Sequence, residues 1–146
     1  MSSKDKKESP TEKKAAPIAA DLAVERRGAE IWVRLEFANV SRETQWLDAV
    51  NGCLKGYVDN DVFGISTGDD DKVRYVGPRV YRQPTAPSDL VALAPDESKA
   101  VELRLDEVYA FAAKGRCVIS YRAYHGDADK GGLLLVRSNG VDFSLG

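Results

Sequence analysis

Apolar and polar side chains alternate in several short segments of the chain. The alternation starts near Ala19 and is most regular at Ile31, Val33, Leu35 and Phe37. A period of two is that of a β-strand with one buried face. The alternation between Ala19 and Phe37 therefore predicts two strands joined through the turn at residues 27–29.

The rest of the chain repeats this pattern at intervals of 8–12 residues. Further strands are predicted at Gln45–Asn51, Val62–Thr67, Ala100–Leu105, Arg116–Tyr124, Leu133–Arg137 and Val141–Leu145. The segment with three prolines that leads to Leu90–Leu93 is expected to be an extended sheet edge or a loop. The turn chemistry of Gly68–Asp71 predicts a hairpin between Val62–Thr67 and Lys72–Val76. One short helical turn is expected near 106–112, and a polar hairpin tip is expected at His125–Gly132.

Short strands at this spacing predict an all-β fold. We expect an immunoglobulin-like antiparallel β-sandwich of about 7–9 short strands, formed as a single domain by residues 18–146. Residues 1–17 contain five Lys and almost no aliphatic side chains, so they are expected to form a disordered charged tail.

Net charge adds little to this description. The formal charge is −2 and the pI is near 5.5, so neither nucleic acid nor an acidic membrane surface is an expected partner. The opening segment lacks the apolar stretch of a secretory signal. The chain as written is therefore expected to be cytoplasmic, with a non-classical export route and the oligomeric state left open.

Candidate chemistry is limited by the single histidine, His125. A hydrolytic zinc site uses several imidazoles, and a catalytic triad needs one imidazole held beside a nucleophile. We therefore expect no enzyme activity, no metal and no cofactor, and we expect His125 to lie in an exposed loop. Cys53 and Cys117 are expected to be small core residues rather than a disulfide. Ser120 has no predicted base to activate it.

Two acidic segments lack the features of real cation sites. Asp127–Gly132 resembles the start of a calcium loop, but the twelfth position is Ser138, where a glutamate is needed. The run Asp69–Asp71 is expected to be a solvated turn.

Arginine and tyrosine are interleaved from the second strand of the predicted hairpin onward. The candidate partner-binding residues are Arg74, Tyr75, Arg79, Tyr81 and Arg82. Both residue types are enriched at the centres of protein interfaces. The alternative is a set of solvated strand residues with packed aromatic stems.

The order of strands and loops between Val62 and Tyr124 resembles a known domain. Leu93-Ala94-Pro95-Asp96-Glu97-Ser98 and the closing Ser138-Asn139-Gly140-Val141-Asp142-Phe143 are similar to motifs of the N-terminal, propeptide-like β domain of the deuterolysin zinc metallopeptidases. Asp96 stands where that family usually has glycine, and the aromatic residue usual after Gly115 is displaced.

The resemblance implies a non-catalytic, protein-binding role, because the family's catalytic His-Glu-x-x-His helix has no counterpart here. Such a domain would inhibit or chaperone a peptidase in trans, with a metallopeptidase as the first expected partner. Two alternatives remain open: a structural or adaptor domain tethered by the basic tail, and a small-molecule or carbohydrate binder that uses Trp32, Trp46 and Tyr57 as a stacking platform.

Overall fold

The computed structural model describes residues 16–68, 71–79, 89–127 and 132–145, and of Asp127 it describes the backbone. The strands are β1 (Ile18–Arg27), β2 (Glu30–Asn39), β3 (Gln45–Asp48), β4 (Phe63–Thr67), β5 (Leu90–Leu93), β6 (Ser98–Arg104), β7 (Arg116–Asp127), β8 (Gly132–Arg137) and β9 (Val141–Ser144). All strand pairs are antiparallel. The predicted all-β, sandwich-like fold is confirmed.

One layer is the sheet β1-β2-β6. Strands β1 and β2, each ten residues long, form a hairpin in which Ile18 pairs with Asn39 and Arg27 pairs with Glu30. The hairpin reverses at Gly28, whose φ of 64° lies in the left-handed region that glycine enters without steric cost. Strand β6 then lies on the other side of β2.

The second layer is built around β7, which pairs with β4, β8 and β9. Strand β4 pairs with its first half on one side, and β9 followed by β8 pairs along it on the other side. The short pair β3-β5 completes the fold. Buried Asn39 ties this pair to the first layer, because its amide nitrogen donates to the carbonyl oxygens of Leu93 at 2.8 Å and Glu43 at 2.7 Å.

The two layers also meet along β1. Ala20 makes a parallel bridge with Ser138. The side chain of Asn139 then replaces a strand partner: its Oδ1 accepts from the Leu22 amide at 2.8 Å, and its Nδ2 donates to the Leu22 carbonyl oxygen at 3.0 Å. One side chain therefore satisfies both backbone groups of a residue on the outer edge of β1.

The core lies between the layers and is formed by the alternate residues that the sequence pattern predicts. Its fully buried members include Leu35, Phe37, Leu47, Leu93, Leu103, Leu105, Ile119 and Val136. An edge-to-face contact between Phe37 and Tyr121, with ring centroids 5.5 Å apart, joins the two layers, and within the second layer Tyr121 makes a similar contact with its cross-strand neighbour Phe63 at 5.6 Å.

Several local predictions need correction. Lys72–Val76 is not a strand, because only an isolated Ser66–Lys72 bridge follows β4 before Tyr75 pairs with Tyr109 instead. Strand β3 ends at Asp48, whose Oδ1 accepts from the amides of Val50 and Asn51 and so begins a turn.

The helical turn predicted near 106–112 is reduced to hydrogen bonds from the amides of Val108 and Tyr109 to the Leu105 carbonyl oxygen. The predicted tail falls almost wholly outside the described residues.

Candidate functional site

His125 is not the exposed loop residue that the sequence predicts. It lies on β7 with a relative exposure of 0%. It continues the inward-facing set of Cys117, Ile119, Tyr121 and Ala123, which stand two residues apart along the strand. The prediction was wrong because β7 continues three residues beyond Tyr124.

Both ring nitrogens of His125 take part in a buried series of hydrogen bonds. Its Nδ1 accepts from the backbone amide of Asp48 at 2.9 Å, and its Nε2 lies 2.6 Å from the hydroxyl of Tyr121. A backbone N–H can only donate, so Nδ1 is unprotonated and the neutral ring carries its hydrogen on Nε2. The Tyr121 hydroxyl in turn donates to the carbonyl oxygen of Asn51 at 2.7 Å.

This chain of hydrogen bonds has a structural function. Burial lowers the pKa of His125 to about 4 and raises the pKa of Tyr121 well above its usual value. Both side chains are therefore neutral near pH 7, and both ring nitrogens are engaged with the protein. The arrangement fastens the turn after β3 to the central strand.

The two cysteines match their predicted place in the core. Both are buried and unpaired. Burial raises the pKa of Cys53 to about 12 and also raises the pKa of Cys117. Because the thiolate is the nucleophile, these thiols are poorly suited to covalent chemistry.

The predicted arginine and tyrosine patch is only partly described. Arg74 and Arg79 are exposed, whereas Tyr75 is 8% exposed and packs on Tyr109 with ring centroids 5.1 Å apart. The guanidinium of Arg79 lies over the Tyr75 ring at 5.1 Å, and the Tyr75 hydroxyl donates to the Pro78 carbonyl oxygen. The buried ring of Tyr75 therefore packs against the inner side of the Arg79 guanidinium. Tyr81 and Arg82 lie outside the described residues.

A groove of about 470 Å³ lies beside this patch. It is lined by Trp32, Gly56, Tyr57, Val58, Pro78, Arg104, Glu107 and Val108. Trp32 and Arg104 are cross-strand neighbours on β2 and β6, while the other residues come from three turns. Tyr57 is 54% exposed. Pro78 lines the groove, precedes Arg79 in the chain and accepts the hydrogen bond from Tyr75, so the groove and the patch adjoin each other.

The groove places Trp32 and Tyr57 together, as the stacking-platform hypothesis requires, but Trp46 is not part of its lining. Trp32 is fixed by its indole nitrogen, which donates to Glu30 at 2.8 Å, and by the Arg27 guanidinium 4.6 Å from its ring. Its ring is thus held in place before any ligand arrives.

Charged side chains border the groove. Arg104 donates to both carboxylate oxygens of Asp106, at 2.9–3.2 Å. It also pairs with Glu30 at 3.2 Å and Glu107 at 3.5 Å. The hydrogen bonds from Arg104 lower the pKa of Asp106, so its carboxylate is charged at neutral pH.

Sequence reasoning missed Pro78, Arg104, Glu107 and Val108 as site residues. Each is unremarkable within its own segment, and only the packing of separate turns against β2 and β6 brings them together. Trp32 and Tyr57 were accessible to sequence analysis because aromatic side chains are the usual components of a stacking platform.

The described ranges hold neither a cluster of metal-ligating side chains nor a membrane-spanning helix. No group of three or more His, Cys, Asp or Glu side chains converges in a way that would hold a metal ion there. The acidic turn and the calcium-like loop fall largely outside those ranges. In the same part of the chain, no helix is long and apolar enough to cross a membrane.

Comparisons with known proteins identify no family. No family model matches the chain, and no curated protein matches it. One solved structure similar to it is that of the yjhA protein from Bacillus subtilis, with a TM-score of 0.41 and 12% identity over 86% of this chain and 94% of that chain.

Proposed function

We propose that this chain is a non-catalytic protein-binding module that uses the groove and the neighbouring Arg74–Arg79 surface. The observation that carries the proposal is the position of the groove at the end of an unpaired strand edge. In the described part of the chain β6 pairs only with β2, and its last residue, Arg104, lines the groove. The backbone groups on the free side of β6 can pair with an added strand.

Such an edge favours an extended polypeptide over a small ligand. A segment paired with β6 would gain main-chain hydrogen bonds, and the groove would receive one of its side chains. Trp32, Tyr57 and Arg79 are residue types that commonly dominate interface energies. The engagement of His125 inside the core also supports a binding role over general acid or base catalysis.

A zinc peptidase of the deuterolysin family is the proposed first partner, on the grounds of the resemblance in the strand order and motifs. The chain would inhibit or chaperone such an enzyme in trans. The test is titration of the chain against a purified deuterolysin-type peptidase, with complex formation and residual proteolysis measured together. We expect saturable binding and a change in activity.

Variants of the surface make this test specific. The double substitution Arg74→Ala and Arg79→Ala should weaken binding about 10-fold or more, as expected for interface arginines. Arg122→Ala removes an exposed arginine from the outer face of β7 and should leave binding unchanged. Lack of complex formation with such peptidases, including those encoded beside this chain, would rule out the peptidase partner.

Two other functions are kept as alternatives. The stacking-platform hypothesis gains from the shared position of Trp32 and Tyr57, and a neutral oligosaccharide is its natural probe. The adaptor hypothesis assigns attachment to residues 1–17. It predicts that deletion of these residues abolishes partner binding, whereas retained binding would point to the folded surface.

A further inference from the structure

We propose that Asn139 is a site of spontaneous deamidation, and that this covalent change opens the outer edge of β1. The chain contains four asparagines, of which Asn51 and Asn139 precede a glycine. Two hydrogen bonds between the Asn139 side chain and Leu22 determine both the rate and the consequence of the reaction. Neither depends on the proposed binding role.

Deamidation of an asparagine is an attack by the backbone nitrogen of the next residue. That nitrogen loses its proton and bonds to the side-chain Cγ, and the side-chain nitrogen takes up a proton and leaves as ammonia. Water then opens the cyclic succinimide at either carbonyl carbon, which yields aspartate or isoaspartate. A following glycine speeds the attack, because no Cβ hinders the nitrogen and the backbone readily adopts the dihedral angles that the ring requires.

The first dipeptide, Asn51-Gly52, is protected from this reaction in the folded protein. Gly52 is buried, and its backbone nitrogen donates to the carbonyl oxygen of Asp48 at 2.8 Å. The side-chain amide of Asn51 donates to the carbonyl oxygen of Tyr124, also at 2.8 Å. The attacking nitrogen and the attacked side chain are both held by the protein, so the reaction requires the turn after β3 to unfold.

The second dipeptide, Asn139-Gly140, is exposed at both residues. In the described part of the chain no hydrogen bond engages the backbone nitrogen of Gly140. The Asn139 side chain is held by Leu22, whose amide donates to Oδ1 at 2.8 Å and whose carbonyl oxygen accepts from Nδ2 at 3.0 Å. Opening these two bonds at the edge of a sheet frees the side chain for attack, and it costs far less than unfolding the domain.

The product of the reaction cannot restore the contact with Leu22. A carboxylate accepts hydrogen bonds at both oxygens and donates none. An oxygen therefore replaces Nδ2, which lies 3.0 Å from the Leu22 carbonyl oxygen, so that carbonyl group is repelled and loses its donor. Isoaspartate also lengthens the backbone by one methylene group, directly after the Ser138 that bridges to Ala20. Deamidation thus leaves the outer edge of β1 without its partner.

The test is incubation of the full chain in a mildly alkaline buffer, with peptide mass mapping of both dipeptides over time. In urea the two should react at similar rates, because neither is then protected. In the folded protein Asn139 should react about 10-fold more slowly than in urea, as expected for two hydrogen bonds at a sheet edge. Asn51 should be slowed at least about 100-fold, since its reaction needs a cooperative opening.

Gly140→Ala is the matched control variant. The φ of Gly140 lies outside the left-handed region, and an added Cβ would lie 3.3 Å from Cγ1 of Val118, an exposed side chain that can move aside. The variant should therefore keep the fold and the hydrogen bonds between Asn139 and Leu22. Its Asn139 should deamidate at least about 10-fold more slowly, which corresponds to a barrier higher by about 1.4 kcal/mol.

The consequence for β1 is measured on the deamidated protein, which anion-exchange chromatography separates by its additional negative charge. Its unfolding equilibrium constant in urea titrations should be about 10-fold larger than that of the fresh protein, as expected for a backbone carbonyl group left without its donor. Amide hydrogen exchange at Leu22 should also be faster. The Gly140→Ala variant, incubated in parallel, should acquire neither change.

Three results would overturn the inference. The first is deamidation of Asn51 as fast as that of Asn139 in the folded protein. The second is an unchanged rate at Asn139 in Gly140→Ala. The third is a deamidated fraction that unfolds as the fresh protein does, which would show that β1 does not depend on the Asn139 amide.

Discussion

Acidification should destabilise this domain through one identifiable proton. His125 is fully buried, and burial lowers its pKa to about 4 in the folded state. The usual value of about 6.5 applies to the unfolded chain. As the pH falls below 6.5, the unfolded state binds the proton first, so the free energy of unfolding decreases. The stability from the neutral imidazole is fully present above pH 6.5 and is lost by about pH 4.

The size of the effect follows from the difference in pKa. A difference of about 2.5 units at about 1.4 kcal/mol per unit gives a loss of about 3–4 kcal/mol over this window. That is a large fraction of the 5–15 kcal/mol typical of a domain. The structural reason is that a proton on Nδ1 would face the amide proton of Asp48, so the 2.9 Å hydrogen bond could not form.

The assay is urea unfolding at half-unit pH steps from 7.5 to 4, for the parent and for His125→Gln. As the pH falls, we expect the free energy of unfolding to decrease more steeply in the parent than in the variant. The difference in slope should approach about 1.4 kcal/mol per pH unit. The variant should be about 2–4 kcal/mol less stable at pH 7, because it disrupts a buried hydrogen-bond network. Equal slopes in the two proteins would refute the reasoning.

A second measurement does not depend on the variant folding. The chain has one histidine, so its imidazole nitrogen signals need no assignment. They should show the Nε2-protonated neutral form and no titration above pH 5. A histidine that titrates near pH 6.5 in the folded protein would contradict the buried hydrogen bonds of His125.

Three further perturbations test other parts of the structure. The Cys53 thiol, with its pKa raised to about 12 by burial, should react with a thiol reagent at pH 8 at least about 100-fold more slowly than in urea, and a rate equal to that of free cysteine would disprove its burial. Gly77→Ala should lower stability by about 1–3 kcal/mol, because a Cβ there would lie 2.7 Å from a valine side chain; Gly68→Ala, with no atom within 4 Å, is the control in thermal unfolding, and equal melting temperatures would argue against the close packing. Asn139→Ala should cost about 1–2 kcal/mol and speed amide hydrogen exchange at Leu22, and unchanged exchange there would mean that β1 does not depend on this side chain.

The strand framework could be predicted because the burial of alternate side chains is a local property. The alternation from Ile31 to Phe37 identified β2 within about two residues at each end, and β4 was correct to one residue. The end of β7 could not be read in the same way. Glycine and aspartate follow His125, and these residues favour turns unless a partner strand holds them, as β8 does here.

The place of His125 did leave a signal in the sequence. It stands four residues after Tyr121, in the same phase as the inward-facing residues of β7. Because histidine is polar, the pattern of apolar residues did not identify it as inward-facing. The predicted hairpin is limited to the Ser66–Lys72 bridge and the hydrogen bonds beside it, because Tyr75 pairs with Tyr109 instead, and a partner 34 residues away in the chain gives no local pattern.

The candidate groove was predictable only in its aromatic members. Trp32 and Tyr57 have no sequence relation to Pro78, Arg104 or Glu107, and their meeting depends on how three turns pack on two strands. Pairs on neighbouring strands can be inferred once the register is known. The approach of irregular segments cannot be inferred from periodicity.

The β1-β2 hairpin also fixes the directions in which the domain can be anchored and approached. Ile18 pairs with Asn39 at one pole, whereas Trp32 pairs with Glu25, seven residues further along β1. At about 3.3 Å per residue, this separation is about 23 Å. The described chain therefore begins at the end of the hairpin opposite the groove, so a surface that held the domain by that end would leave the groove facing outward.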